Sequence, residues 1–167
     1  FSDVDISDNH TPSVTPASSN TLGGTLTIGS VSKDSSTDTG TVNWTYNLDN
    51  SSSSVQSLAA GQSVSESFNV RVTDDKGAYV DQTVTLTITG SNDDPVISFA
   101  TGNDGGSLSE DGTLSVSGAL TSSDIDTGST ATWSIQSNPT GTYGTLALDG
   151  NSGNWTRSEE HTSELQS

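Results

Sequence analysis

The chain has no cysteine and only 4 lysines and arginines among 167 residues, against 21 aspartates and glutamates. Without cysteine there is no disulfide framework and no thiolate metal site. At a formal charge of −17, no basic patch exists to displace counterions from phosphates, which argues against nucleic acid as a partner and against anionic membrane surfaces. No apolar run approaches the roughly 18 residues of a spanning helix, so membrane insertion is not expected, and no signal peptide opens the chain. Phe1 is no initiator, and the chain is expected to begin within a longer protein. Apolar residues make up only 28%, a fraction that resembles disordered chains. Two features oppose disorder: the apolar residues alternate, and the carboxylates are clustered where a cation could neutralise them.

Alternation at period two dominates. Val42, Trp44, Tyr46 and Leu48 share one side, with Thr41, Asn43, Thr45 and Asn47 between them. Phe68, Val70 and Val72 follow the same pattern, as do Val80, Val84, Leu86 and Ile88. Threonine on the solvent face suits a pleated strand, being β-branched and polar. Further strands are predicted at 24–31, 95–100, 113–117, 131–136 and 143–148, with one short helical turn at Ser57 to Gly61. Clusters of Gly, Asn, Asp and Ser separate them.

The chain also repeats itself. Gly24-Thr25-Leu26-Thr27-Ile28 aligns with Gly144-Thr145-Leu146-Ala147-Leu148 at an offset of 120, and Ser2-Asp3-Val4-Asp5 with Ser123-Asp124-Ile125-Asp126 at 121. Asn43-Trp44-Thr45 aligns with Asn154-Trp155-Thr156 at 111. Short antiparallel strands in a duplicated unit predict an all-β fold of tandem Greek-key β-sandwich repeats. The first repeat spans 1–94 and lacks its N-terminal strand or strands; the second spans 95–156 and is truncated. Trp44, Tyr46, Phe68, Val70, Val84 and Leu86 are assigned to the first core, and Trp133, Ile135, Leu146 and Leu148 to the second. The second repeat stops before counterparts of the Phe68 and Val84 strands, so part of its core-facing surface is expected to be open. Residues 157–167, RSEEHTSELQS, match the in-frame translation of a common sequencing adapter. They are set aside as an artefact tail, His161 included.

Calcium takes six to eight oxygens from carboxylates, amide carbonyls and backbone. Asp-x-Asp in extended chain places two carboxylates on one side, and Asn92-Asp93-Asp94-Pro95 offers an amide oxygen, two carboxylates and a stiffening proline at a domain boundary. Two carboxylates about 4 Å apart repel by roughly 1–4 kcal/mol; a cation would reverse that and fix the boundary. A secreted protein without disulfides needs another staple, and calcium is one. The same residues also suit ordinary solvated turns. Asp124 and Asp126 have no groove to make them a glycosidase pair, and no Gly-x-Ser-x-Gly elbow exists. His10, in a Thr/Pro/Ser-rich loop, is expected to be solvated.

Val72-Thr-Asp-Asp-Lys-Gly77, Thr83-Val-Thr-Leu-Thr-Ile-Thr-Gly-Ser-Asn-Asp-Asp-Pro-Val-Ile97 and Leu108-Ser-Glu-Asp-Gly112 resemble bacterial cadherin-like repeats of the VCBS type. Tyr143-Gly-Thr-Leu146, Asn43-Trp-Thr-Tyr46 and Leu58-Ala-Ala-Gly-Gln-Ser-Val-Ser-Glu-Ser-Phe68 carry the same resemblance, which covers nearly the whole chain before the tail. The resemblance implies calcium at interdomain junctions. Asn92, Asp93 and Asp94 with Asp124 and Asp126 form one junction; Asp3, Asp5 and Asp74 face the preceding one; Glu110 serves the following one. It departs from the family pattern at Gly90, where an acidic residue is expected, and in lacking an Asp-Arg-Glu equivalent, for which Glu66 is a poor substitute. It further implies a non-enzymatic extender repeat of a secreted or cell-surface bacterial adhesin of the RTX type. Its partners are then neighbouring repeats of the same chain and a surface or matrix ligand reached through other domains. A carbohydrate- or protein-binding module, or an accessory domain of an extracellular hydrolase, is the alternative; a solvent-facing Trp44 or Trp133 would favour the binding module.

Overall fold

The computed structural model describes residues 1–109 and 112–159; Glu110, expected to serve a following junction, lies outside the described residues. The fold is all-β, with 47% strand and 3% helix, and its strand pairings are antiparallel. The chain divides into two compact units, Phe1–Asn92 and Asp93–Ser167.

In the first unit, β1 (His10–Pro16), β4 (Ser63–Asp74) and β5 (Tyr79–Thr89) form one sheet in the order β1-β4-β5. β2 (Thr25–Lys33) and β3 (Gly40–Asn47) form a second, two-stranded sheet, and α1 (Ser53–Gln56) is a single turn. The turn falls four residues before its predicted place because the chain leaves β3 through an Asp49–Ser52 turn and closes on Val55. The β4–β5 hairpin reverses at Asp74 to Ala78, where Gly77 takes a φ of 91° that a side chain would resist. On the outer face of that hairpin the Ser63–Thr89, Ser65–Thr87 and Ser67–Thr85 hydroxyls bond across the strands at 3.0, 3.2 and 3.1 Å. Arg71 clasps Asp81 through Nε and Nη2, both at 2.7 Å, and lies 3.6 Å over the Tyr79 ring. These pairs make the exposed face cohere without apolar residues.

The two sheets meet through Leu22, Leu26, Phe68 and Val72, which are buried, and through Tyr46, whose ring stands edge-on to Phe68 at 5.9 Å. Val55 and Leu58 on and after the helical turn close one end with Leu22, Leu48, Val64 and Ile88. The largest fully buried side chain is polar: Glu66 is 0% exposed. Its Oε1 accepts the Leu22 N–H at 2.8 Å and its Oε2 the Tyr46 hydroxyl at 2.8 Å, tying β3 and the chain before β2 to β4. Burial, then the Glu66 hydrogen bond and charge, push the Tyr46 phenol up to about 12.

Trp44 departs from its assignment to the core: it is 46% exposed. It occupies the inward side of β3, opposite Ile28, but among the described residues β2 is the one strand that pairs with β3, and its other edge is met only at its start, by Phe1. β1 also departs from the sequence reading, which took this stretch for a loop. Its prolines, Pro12 and Pro16, are tolerated because β1 pairs only with β4 and is an edge strand.

In the second unit β6 (Val96–Phe99), β7 (Ser115–Ser123), β8 (Thr140–Gly141), β9 (Gly144–Leu148) and β10 (Asn154–Ser158) form one sheet, ordered β6-β7-β10-β9-β8. The strand predicted at 131–136 is absent. Its counterpart at the 121 offset is β1, whose partner is β4, and no described residue of the second unit stands in for β4. Trp133 and Ile135 therefore lie outside any strand, and Val96, Ile97, Phe99 and Leu114 are exposed. Arg157 and Ser158, set aside with the tail, pair with Val116 and Ser115 in β10; ladder bonds use backbone groups and tolerate the side chains.

Candidate metal centre

Each unit carries its own carboxylate constellation. In the second unit, Asp124 and Asp126 follow β7 and close a turn in which the Asp126 N–H bonds the Asp124 Oδ1 at 2.9 Å. Asp126 is 6% exposed. Its Oδ2 accepts the Asp93 N–H at 3.0 Å, and its Oδ1 has no hydrogen-bond partner among the described residues. Neither Asp124 nor Asp126 forms an ion pair with lysine or arginine among the described residues. An ionised carboxylate this deep normally has every oxygen engaged, since an orphaned buried acceptor costs roughly 1–3 kcal/mol and more when charged. Asp93 is half-buried beside this turn, while Asp94 is exposed; Asn92, at the end of the first unit, is exposed too. Of the five residues assigned to this junction, hydrogen bonds thus tie the Asp93 backbone and the Asp124 carboxylate to Asp126, but among the described residues no three carboxylates of the second unit have oxygens within 4.8 Å of one another.

In the first unit, carboxylate oxygens of Asp3, Asp8 and Asp74 lie within 4.8 Å of one another. Asp3 and Asp74 were expected here; Asp8 takes the place given to Asp5, which is exposed and outside this group while its N–H bonds the Asp3 Oδ1 at 2.9 Å. The signal for Asp8 was present as a third aspartate at Asp-x-Asp-x-x-Asp spacing (Asp3, Asp5, Asp8). His10 also departs from its solvated assignment. Its side chain is 4% exposed, its ring lies tilted by 44° against that of Phe1 with centroids 4.7 Å apart, and its Nε2 meets Asp3 Oδ2 at 2.9 Å. The Asp5 N–H and then His10 hold the Asp3 carboxyl below the usual carboxylate range, and Lys33 adds a smaller attraction. Asp74 Oδ1 is occupied in its own turn by the N–H groups of Lys76 and Ala78 at 2.8 and 2.9 Å. Lys76 Nζ reaches Asp8 at 3.9 Å, and a cavity of about 190 Å³ opens beside Asp3, His10 and Asp74.

The two constellations differ in what already balances them. The first has His10, Lys33 and Lys76 nearby; the second forms no ion pair with lysine or arginine among the described residues. The first offers carboxylate oxygens beside one imidazole, the second oxygens alone, the donor set of a hard divalent ion rather than a soft one. No protein-family model matches the chain, and no curated protein matches it either.

Proposed function

We propose that the chain is a structural, non-enzymatic segment of a secreted or cell-surface bacterial protein, in which calcium at the carboxylate turns stiffens successive β-sandwich units. The observation that carries this reading is Asp126: a carboxylate 6% exposed, with, among the described residues, no hydrogen-bond partner for Oδ1 and no ion pair with lysine or arginine. Asp124 and Asp126 would hold one ion, beside the Asp93 backbone that bonds Asp126; Asp3, Asp8 and Asp74, whose oxygens lie within 4.8 Å of one another, would hold a second. The ion supplies charge neutralisation and a rigid turn, which suits a calcium-rich exterior where weak oxygen sites fill. Among the described residues, no helix is long and apolar enough to cross a membrane. Self-repulsion at a charge of −17 opposes association through exposed strand edges.

Thermal unfolding in EDTA and then in millimolar calcium, with magnesium as control, tests the reading. A ligand of the native state at a hundredfold excess over Kd stabilises by about 2.7 kcal/mol, so the midpoint should rise by several degrees with calcium alone, and Asp126→Asn should remove most of the rise. An equal response to magnesium, or none to calcium, would reject it. The exposed Trp44 supports the second reading, a saccharide-binding module; titration with neutral oligosaccharides while following tryptophan emission distinguishes it, since the calcium reading predicts no response.

A further inference from the structure

β3 is half of a site. Its N–H and C=O groups on one side are taken by β2, from Thr25↔Asn47 to Lys33↔Gly40. On the other side, among the described residues, the only pairing is at its start. The Gly40 N–H donates to the Phe1 C=O at 3.0 Å, the Phe1 amine donates to the Gly40 C=O at 3.1 Å, and Ser2 bridges Thr39. By the alternation of an antiparallel ladder, the N–H groups of Val42, Trp44 and Tyr46 face that same open edge.

The internal duplication shows what such an edge accepts. β3 and β10 share Asn-Trp-Thr, and β2 and β9 share Gly-Thr-Leu at their starts. β10 pairs with β9 on one side as β3 pairs with β2. On its other side β10 pairs with β7, and there Trp155 stands opposite Gly118. That glycine is required by the packing: a Cβ on it would come within 2.7 Å of the indole. The covered Trp155 also donates its Nε1–H to the Asn103 carbonyl at 2.7 Å. Trp44, its counterpart, has neither cover and is 46% exposed.

Two independent routes give one register. Shifting Gly118 by the 121 offset of the Asp-x-Asp segment places its counterpart four positions ahead of Phe1. Continuing the Phe1–Gly40 pairing antiparallel along β3 places that same position opposite Trp44. The few residues at the start of the chain therefore already lie on the track that β7 follows in the second unit.

We infer that the free edge of β3 is an acceptor for one further strand: an extended segment with the residue pattern of β7, antiparallel to β3, in line with Phe1, and carrying a glycine opposite Trp44. Added along this edge, the strand would pair Val42, Trp44 and Tyr46 and lay its own backbone over the Trp44 indole, where any larger residue collides. The inference stands apart from the calcium reading, since none of its contacts involves a carboxylate.

The test places a copy of residues 93–121 directly ahead of Phe1 in the full chain and follows amide hydrogen exchange through β3. The expected result is at least tenfold slower exchange at Val42, Trp44 and Tyr46, a blue shift of Trp44 emission in a Trp133→Phe, Trp155→Phe background, and loss of both when the copy carries Gly118→Leu. A second arm keeps the chain unaltered and adds a peptide of residues 113–123, which should slow the same amides saturably while a scrambled peptide does not. Unchanged exchange in both arms overturns the inference. So does equal protection with leucine in place of the glycine, or protection that appears on raising the concentration of the unaltered chain alone, which would make a second copy the occupant.

Discussion

Glu66 offers the most demanding check on how the first unit is held together. Its two oxygens receive the Leu22 N–H and the Tyr46 hydroxyl, each at 2.8 Å, at 0% exposure. Glu66→Ala strips the acceptor from two buried donors, each worth roughly 1–3 kcal/mol when left unsatisfied, and opens a cavity between the sheets. The combined cost should be about 3–5 kcal/mol. Glu66→Gln keeps the shape: its carbonyl oxygen can accept from Leu22, and its amide can donate to a Tyr46 hydroxyl that turns to accept. Removing a buried charge while keeping both contacts should change stability by less than about 1 kcal/mol. Urea unfolding of the full chain, following a probe in the first unit, measures both at constant m. Equal losses for alanine and glutamine would mean that the charge itself, through an unseen counter-charge, holds the sheets. A loss below about 1 kcal/mol for alanine would mean that water replaces the carboxylate and the clamp has no mechanical role.

Two further outcomes follow from the same region. Tyr46, pushed up to about 12 from 10.0 by burial and by Glu66, stays protonated in the folded state after an unfolded tyrosine has ionised. Its stabilising contribution is therefore complete below about pH 10 and is lost as pH rises from there through about 12; ultraviolet titration of a Tyr79→Phe, Tyr143→Phe chain should place the Tyr46 transition near the upper end, and lower in Glu66→Gln. Asn20 imitates a strand partner, donating through Nδ2 to the Ser67 carbonyl at 3.0 Å and accepting the Ser67 N–H at 2.8 Å, so Asn20→Ala should cost about 1–2 kcal/mol in the same urea assay while Asn20→Asp, which can only accept, recovers part of it.

The strands that alternate strictly were legible because period two is a local property. Val42 to Leu48, Phe68 to Val72 and Val80 to Ile88 announce a face each, and that face needs no knowledge of the partner. What alternation cannot supply is whether a partner exists. Trp44 has the pattern of a core residue and is half exposed because β3 has a neighbour on one side only. Residues 131–136 have the pattern of a strand and form none because no described residue of the second unit supplies the β4 counterpart they would pair with. β1 departs in the opposite direction: Pro12 and Pro16 give an edge strand the look of a loop, although the stretch 121 residues on has the alternation of a strand.

The carboxylate motifs were legible as motifs, but their electrostatic situation was not. Ser-Asp-Val-Asp and Ser-Asp-Ile-Asp are nearly the same four residues, yet they meet opposite surroundings. The chain's two lysines, Lys33 and Lys76, both lie near the first constellation, where His10 also bonds Asp3 and Asp74 is spent on its own turn. In the second, the outer aspartate turns inward, uses one oxygen on Asp93 and leaves the other without a donor. Burial raises the cost of a bare charge at the very place where the described residues offer no lysine or arginine ion pair. The local sequence therefore specifies an Asp-x-Asp turn in both units. The folded surroundings decide whether that turn is balanced from within, as at Asp3, or leaves a buried oxygen without a donor among the described residues, as at Asp126, which is what the proposed ion would answer.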